Sequence, residues 1–365
     1  MYSDQRSREW LPVSIMKVPI TIQPVGSLKS VSFLAILLFS AAATAQTSNS
    51  TASSPISSAR TILGRVGPYS GINTAEDAQQ LNLAGFNLVL PSNFSSTLRA
   101  ALLSEGLAYI DLELWSLIDE KCIQQAASRK AMHLPPSCNL NPADQQDIVA
   151  AAKKHLDEVK TDPGLAGFWI LDDYPQGDIT EVLKMLHNLV HATGTAIGRN
   201  LPTICGLGGS LDLRDSTRES FKPQHKWIDQ PAINVTPAGC DYVAPYFYGS
   251  RPQPNPDLVD WSMQEVIPYA LQVLRARGFN TSGILVPLLH AFGSCKRPRP
   301  SGASCYVTPR PQDILAQAKA WTDAGAIAMM FFTWHSQDSD EDYLNTASIR
   351  DGVQQAAAYF RAHHR

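Results

Sequence analysis

The residues best placed to do chemistry are two adjacent carboxylates, Asp172 and Asp173, between the apolar run Gly167-Phe168-Trp169-Ile170-Leu171 and the pair Tyr174-Pro175. A buried strand that ends in paired acids delivers them to a rim, where a carboxyl can serve as an acid. Asp173 is the expected acid, because the carboxylate beside it and the aromatics Trp169 and Tyr174 favour its protonated form. Its partner is expected on the preceding strand, in Asp111 or Glu113. Period-two alternation along a strand over 107–115 puts Asp111, Glu113 and Trp115 on one face. The competing uses are structural: a helix cap for Asp172 or Asp173, and an ion pair with a lysine or arginine for Asp111 or Glu113.

The elements that must position these groups alternate. Apolar strand signals over 62–69, 87–91, 107–115, 167–171, 202–206, 242–248, 283–290 and 326–334 are separated by helical or polar stretches. Thr74 with Asp77 three residues on opens the first helix as a capping box, and Asp178 with Glu181 is expected to cap the helix after the fourth strand. Gly106, Gly194, Gly278 and Gly325 stand where left-handed helix caps are expected. Pro268 falls inside a helix over 257–277 and predicts a kink. Strands that are apolar throughout belong to a parallel sheet covered on both faces, and eight such units predict a (β/α)₈ barrel in one domain over 61–365. An open doubly wound sheet is the alternative, but its glycine-rich first turn is missing from Gly67-Pro68-Tyr69-Ser70-Gly71.

In such a barrel the active site lies at the C-terminal ends of the strands. The residues collected there are Tyr69, Asn93, Asp111, Glu113, Trp115, Asp172, Asp173, Tyr174, Gly208, Gly209, Tyr246, Tyr248, His290, Phe292, Trp334 and His335. A rim of rings and carboxylates suits a carbohydrate, whose apolar ring faces stack on aromatics while its hydroxyls bind acids. Tyr246 or Tyr248 is expected to position substrate, Trp334 to floor the cleft, and His290 and His335 to contact ligand or orient a carboxylate; rim packing is the competing use for each. Gly206-Leu207-Gly208-Gly209-Ser210 reads as a tight turn, and Asp338, Asp340 and Asp342 as a solvated acidic loop, since the glycine and glutamate of a calcium loop are absent. With no His-x-His and no His-Glu-x-x-His, no catalytic metal is expected, and no cofactor.

The fourth strand, with Asp172-Asp173-Tyr174-Pro175, resembles the Asp-Glu-Pro strand ending of glycoside-hydrolase-like TIM barrels. The stretch Asp241-Tyr242-Val243-Ala244-Pro245-Tyr246-Phe247-Tyr248 is similar to the strand in those barrels that ends in a tyrosine-rich, sugar-facing turn. Chitinase-like barrels are also similar: their Glu-Tyr-Pro ending, strand-six Tyr and strand-eight Trp are matched by Asp173-Tyr174-Pro175, Tyr246 or Tyr248, and Trp334. The earlier strand-four aspartates of that family fall on Trp169 and Leu171. The resemblance implies a hydrolase of glycosidic bonds in a poly- or oligosaccharide, with Asp173 as acid/base. The usual strand-seven glutamate nucleophile falls on His290, a departure that suits a non-catalytic carbohydrate-binding barrel. An ester hydrolase is the third reading, without a Gly-x-Ser-x-Gly elbow to support it.

The chain has 365 residues, a net charge of −3 and no basic run, which gives no footprint for nucleic acid. Residues 1–45 read as a leader and signal peptide, with Lys29 before the apolar run 31–38 and Ala43-Thr44-Ala45 before Gln46; residues 1–15 read as an extension ahead of a start at Met16. Residues 46–60 read as a Ser/Thr-rich linker. The expected product is secreted or periplasmic, with no stable membrane anchor after cleavage. Six cysteines in an exported chain favour disulfides, and neighbours in sequence suggest Cys122 with Cys138, Cys205 with Cys240, and Cys295 with Cys305. Sequons stand at Asn49, Asn93, Asn234 and Asn280.

Overall fold

A computed structural model of the chain divides into two units, Met1–Ser53 and Ser54–Arg365. The residues it describes all belong to the second: 61–92, 94–132, 138–172, 177–212, 234–251, 258–296, 305–336 and 339–364. The leader and linker lie outside them, and so do Asn49, Asn93, Asp173, Tyr174 and Asp338; the side chain of Cys305 is likewise not described.

Nine strands are described: β1 (Val66–Tyr69), β2 (Leu88–Val89), β3 (Ala108–Asp111), β4 (Leu165–Leu171), β5 (Thr203–Asp212), β6 (Tyr242–Arg251), β7 (Leu288–His290), β8 (Cys305–Tyr306) and β9 (Met329–Phe332). Eight of them pair in parallel in the order β1-β9-β7-β6-β5-β4-β3-β2. A parallel bridge between Tyr69 and Leu90 joins the first strand to the last, with the Ser70 N–H donating to the Leu90 carbonyl at 2.8 Å. The sheet therefore closes, and the fold is a single-domain (β/α)₈ barrel. The short β8 adds to β6 antiparallel.

Around the barrel run α1 (Ala75–Leu83), α2 (Ser96–Ser104), α3 (Glu113–Ala131), α4 (Pro142–Val159), α5 (Thr180–Ala196), α6 (Leu258–Ala276), α7 (Pro311–Asp323) and α8 (Ala347–His363). Every residue of β3 and β4 is buried, as strands covered on both faces require. Each large apolar side chain there, such as Phe168, Trp169 or Ile170, contributes roughly 1.5–3 kcal/mol by leaving water. The Thr74–Asp77 capping box is formed; the expected Asp178–Glu181 cap is not, since the N-cap of α5 is Ile179 without a side-chain cap, although the Asp178 carboxylate accepts from the Thr180 N–H at 3.0 Å. α6 runs through Pro268.

Several expectations are corrected. β3 stops at Asp111, and Glu113 and Trp115 stand on α3, so the two do not share a strand face with Asp111. Leu114, Ile118 and Cys122 recur every four residues and are buried with Trp115, a helical period that the longer strand reading overran. The run Gly206–Ser210 is strand, not a turn: it lies within β5, in parallel register with Ala244–Tyr248 of β6. Gly194 is inside α5, packed where a Cβ would meet the Arg199 carbonyl at 2.6 Å, and the left-handed residue after that helix is Gly198.

Two expected disulfides are present, Cys122–Cys138 and Cys205–Cys240, and Cys295 is also disulfide-bonded. Asn234 is fully buried: its side chain accepts from the Ile179 N–H and donates to the Gly177 carbonyl, so this sequon has no access to a glycosylating enzyme in the folded chain. No helix among the described residues is long and apolar enough to cross a membrane.

Candidate active site at the C-terminal end of the barrel

Three strands build the centre of the site. β1 ends in Tyr69, β4 hands on to Asp172, and β6 carries Tyr246. The Tyr69 hydroxyl donates to Asp172 Oδ2 and the Tyr246 hydroxyl to Oδ1, the latter at 3.3 Å. Both oxygens of Asp172 thus accept from phenols that come from different sides of the barrel, and the carboxylate is half-buried rather than sealed. The Tyr69 ring also meets the fully buried Trp169 edge-on, with centroids 5.4 Å apart. Along β4 the register to β5 shifts between Trp169 and Leu171, and an irregularity of this kind lets residues of opposite parity reach one neighbour.

Tyr246 reaches Asp172 because β5 leaves room for it. A Cβ on Gly208 would lie 2.5 Å from the Tyr246 ring, and one on Gly206 would lie 3.1 Å from it and 3.2 Å from Trp169. Glycine at these two places is a packing requirement, since a side chain there would displace the phenol.

Beside this centre is an aromatic wall. The Tyr248 ring lies 5.5 Å from Tyr246, 5.1 Å from Phe292, 5.8 Å from Tyr306 and 5.8 Å from Phe332. Tyr248, Tyr306 and Phe332 are half-buried, so part of this wall faces solvent. Phe332 and Tyr306 were not singled out from the sequence. The strand-eight residue level with Tyr69 and His290 is Phe332, not Trp334, because β9 ends there.

Other sequence candidates stand elsewhere. Asp111 is fully buried; Oδ1 accepts from the Glu113 N–H at 2.8 Å and Oδ2 pairs with His155 Nε2 of α4 at 3.0 Å. Burial opposes charge on His155, but the Asp111 hydrogen bond and the nearby carboxylates outweigh it and hold its pKa above the usual imidazole value. Glu113 is exposed at the start of α3, and Trp115 is buried on that helix. Trp334 is buried against Phe86 and Tyr343, its Nε1–H donating to Asp77 of α1 at 3.0 Å. His335 Nδ1 bonds Asp342 at 2.9 Å. Asp342 is itself fully buried and accepts from Ser336, Ser339 and Asn345, which corrects the expectation of a solvated carboxylate there.

At the end of the seventh barrel strand, His290 is buried and its Nε2 lies 2.9 Å from the Phe292 carbonyl. Burial pushes its imidazole down to about 4, so it is neutral near pH 7 and donates to that carbonyl. Its ring packs against Phe292 at 4.9 Å and Tyr248 at 5.6 Å and offers no anionic group to replace a carboxylate.

No family model matches the chain, and no curated protein matches it in sequence. Solved structures do. A glycoside hydrolase family 18 N-acetylglucosaminidase from Paenibacillus barengoltzii is similar at 12% identity and a TM-score of 0.48, over 80% of this chain and 99% of that one. The catalytic domain of the psychrophilic chitinase B from Arthrobacter TAD20 gives 10% and 0.49, over 82% and 95%. An endo-beta-1,4-mannanase from Thermotoga petrophila gives 10% and 0.49, over 82% and 77%. The likeness is one of architecture, and the site stands on its own geometry.

Proposed function

We propose that the chain is an exported glycoside hydrolase acting on a poly- or oligosaccharide, with Asp172 and Asp173 as its working carboxylates. The observation that carries this reading is Asp172, with both oxygens accepting from Tyr69 and Tyr246 at the end of the barrel where active sites lie. Two phenol donors suit a carboxylate that works as an acceptor. That leaves Asp173, the next residue, to protonate the leaving oxygen, while Asp172 takes the proton of an attacking water or steadies charge on the anomeric carbon. The half-buried rings of Tyr248, Tyr306 and Phe332 supply a stacking surface for a sugar face. Disulfides Cys122–Cys138 and Cys205–Cys240 support export to an oxidising compartment.

The test is release of reducing ends from a panel of plant, fungal and bacterial polysaccharides and their oligomers by the wild type, Asp172→Asn and Asp173→Asn. The expected result is release by the wild type from at least one substrate, lost in both variants with binding retained. A second reading, a barrel that binds carbohydrate without cleaving it, is favoured by the neutral, buried His290 at the end of β7. Binding to one member of the panel without release from any would establish it.

A further inference from the structure

The opposite end of the barrel holds a second cluster of chemistry-bearing side chains. His187 and His191 stand four residues apart on α5, which puts both imidazoles on one helix face. Asp241 immediately precedes β6, so it lies at the N-terminal end of the strands, away from Asp172. One donor atom from each of the three residues lies within 4.8 Å of the other two. His191 Nε2 is 2.9 Å from Asp241 Oδ2, and His187 Nδ1 is 3.8 Å from the same oxygen.

Those two separations bracket the spacing of about 3.3 Å between ligands that tetrahedral bonds of 2.0–2.1 Å produce. The three donor atoms thus lie within reach of one ion, all within 4.8 Å of one another. The rest of the surroundings is that of a ligand set held in place. Asp241 Oδ2 accepts from the Thr203 backbone N–H at 2.8 Å, and Thr203 Oγ1 lies 2.8 Å from His187 Nδ1. Thr203 opens β5 and is fully buried, and its hydroxyl has the Gly239 carbonyl at 3.1 Å as an alternative acceptor once His187 turns to a metal. The Cys205–Cys240 disulfide fixes the residue just before Asp241 to β5.

The two imidazole rings are 4.3 Å apart. Two imidazoles with a carboxylate are the donor set of zinc and its first-row neighbours, and a poor one for magnesium or calcium. The His191 side chain is 41% exposed, which gives an ion a way in and leaves room for water as a further ligand.

We propose that His187, His191 and Asp241 form a site for a divalent transition metal that clamps α5 to the starts of β5 and β6. It goes beyond the carbohydrate reading and does not depend on it. Sequence patterns for catalytic metals overlook it, because the third ligand is fifty residues from His191 in the chain, a separation the fold removes.

The test is titration of untagged, chelator-treated, dialysed full-length protein with Zn²⁺ against a chromophoric chelator, with thermal unfolding followed in parallel. The expected result is one equivalent bound, with Tm raised by about 5 °C at a hundredfold excess over Kd, and no such rise with Mg²⁺. His191→Gln, on the more exposed side, is expected to weaken binding at least tenfold while keeping the fold by circular dichroism. The double variant His187→Gln/His191→Gln is expected to abolish saturable binding. His363→Gln/His364→Gln, at the far C-terminal helix end, is expected to leave the stoichiometry unchanged. Absence of saturable binding, or binding that survives the His187/His191 double variant, would overturn the proposal.

Discussion

Asp111 ends β3 and Asp172 directly follows the neighbouring β4, each after an apolar run, and the two meet opposite surroundings. β3 gives way at once to α3, so Asp111 meets the Glu113 N–H on one oxygen and His155 of α4 on the other, and its side chain is 1% exposed. After β4 the next helix begins only at Thr180. Asp172 accepts instead from two phenols from across the barrel and is half-buried. The same residue type after an apolar run becomes a sealed ion-pair partner or a half-buried acid according to what the chain does next.

The sharpest way to break that contrast is to neutralise each acid in turn. Asp172→Asn is expected to lower kcat about a thousandfold, with the urea midpoint nearly unchanged, because an amide fills the same space but cannot serve as an ionised partner. Steady-state kinetics on the substrate found by reducing-end release reads this directly. A variant that keeps a tenth or more of wild-type turnover would remove Asp172 from the working pair.

Asp111→Ala is expected to do the reverse. It leaves His155 and the first turn of α3 without their shared acceptor, at a cost of about 3 kcal/mol in unfolding free energy. Turnover per folded molecule should stay within a factor of two of wild type. Loss of turnover in a protein that remains folded would return Asp111 to the role of second carboxylate.

How much of this was legible in the sequence follows from the range of each interaction. The eight apolar strands and the closed barrel were readable because burial on both faces leaves a continuous run such as Leu165–Leu171. The Cys122–Cys138 and Cys205–Cys240 pairs were readable from proximity in the chain. The direction of Asp111 was not. Its fate turns on Leu114, Ile118 and Cys122 setting a helical period two residues after the strand, and a strand reading of 107–115 hides that change. Nor was the partner of Tyr246, since its path to Asp172 depends on space above Gly206 and Gly208 on a third strand. Phe332 went unnoticed because Trp334, two residues on, is the larger ring and the strand was drawn too long.

A subtler pair of changes tests whether Asp172 depends on its phenols. Tyr246→Phe removes one donor and Gly208→Ala puts a Cβ into the ring that carries it, so both are expected to lower kcat about tenfold. If the two act through the same hydrogen bond, the double variant should be no worse than the more damaging single one. Additive losses would show that Gly208 matters for another reason, such as direct approach of substrate to the β5 backbone.

The smallest expected effect concerns Asp111 and its histidine partner. His155 is held above its ordinary pKa by Asp111, so the folded state binds its proton more tightly than the unfolded chain does. The stabilisation from this pair is fully present below the unfolded value of about 6.5 and is lost as the pH rises through the raised folded value. Because the ring is partly open to solvent, the effect is about 0.5 kcal/mol. Urea unfolding of wild type and His155→Gln at steps from pH 5.5 to 8.5 should show the difference in midpoint shrinking upward from about pH 6.5. A difference that stays constant across that range would mean that Asp111 and His155 are joined by a hydrogen bond whose strength does not depend on charging the imidazole.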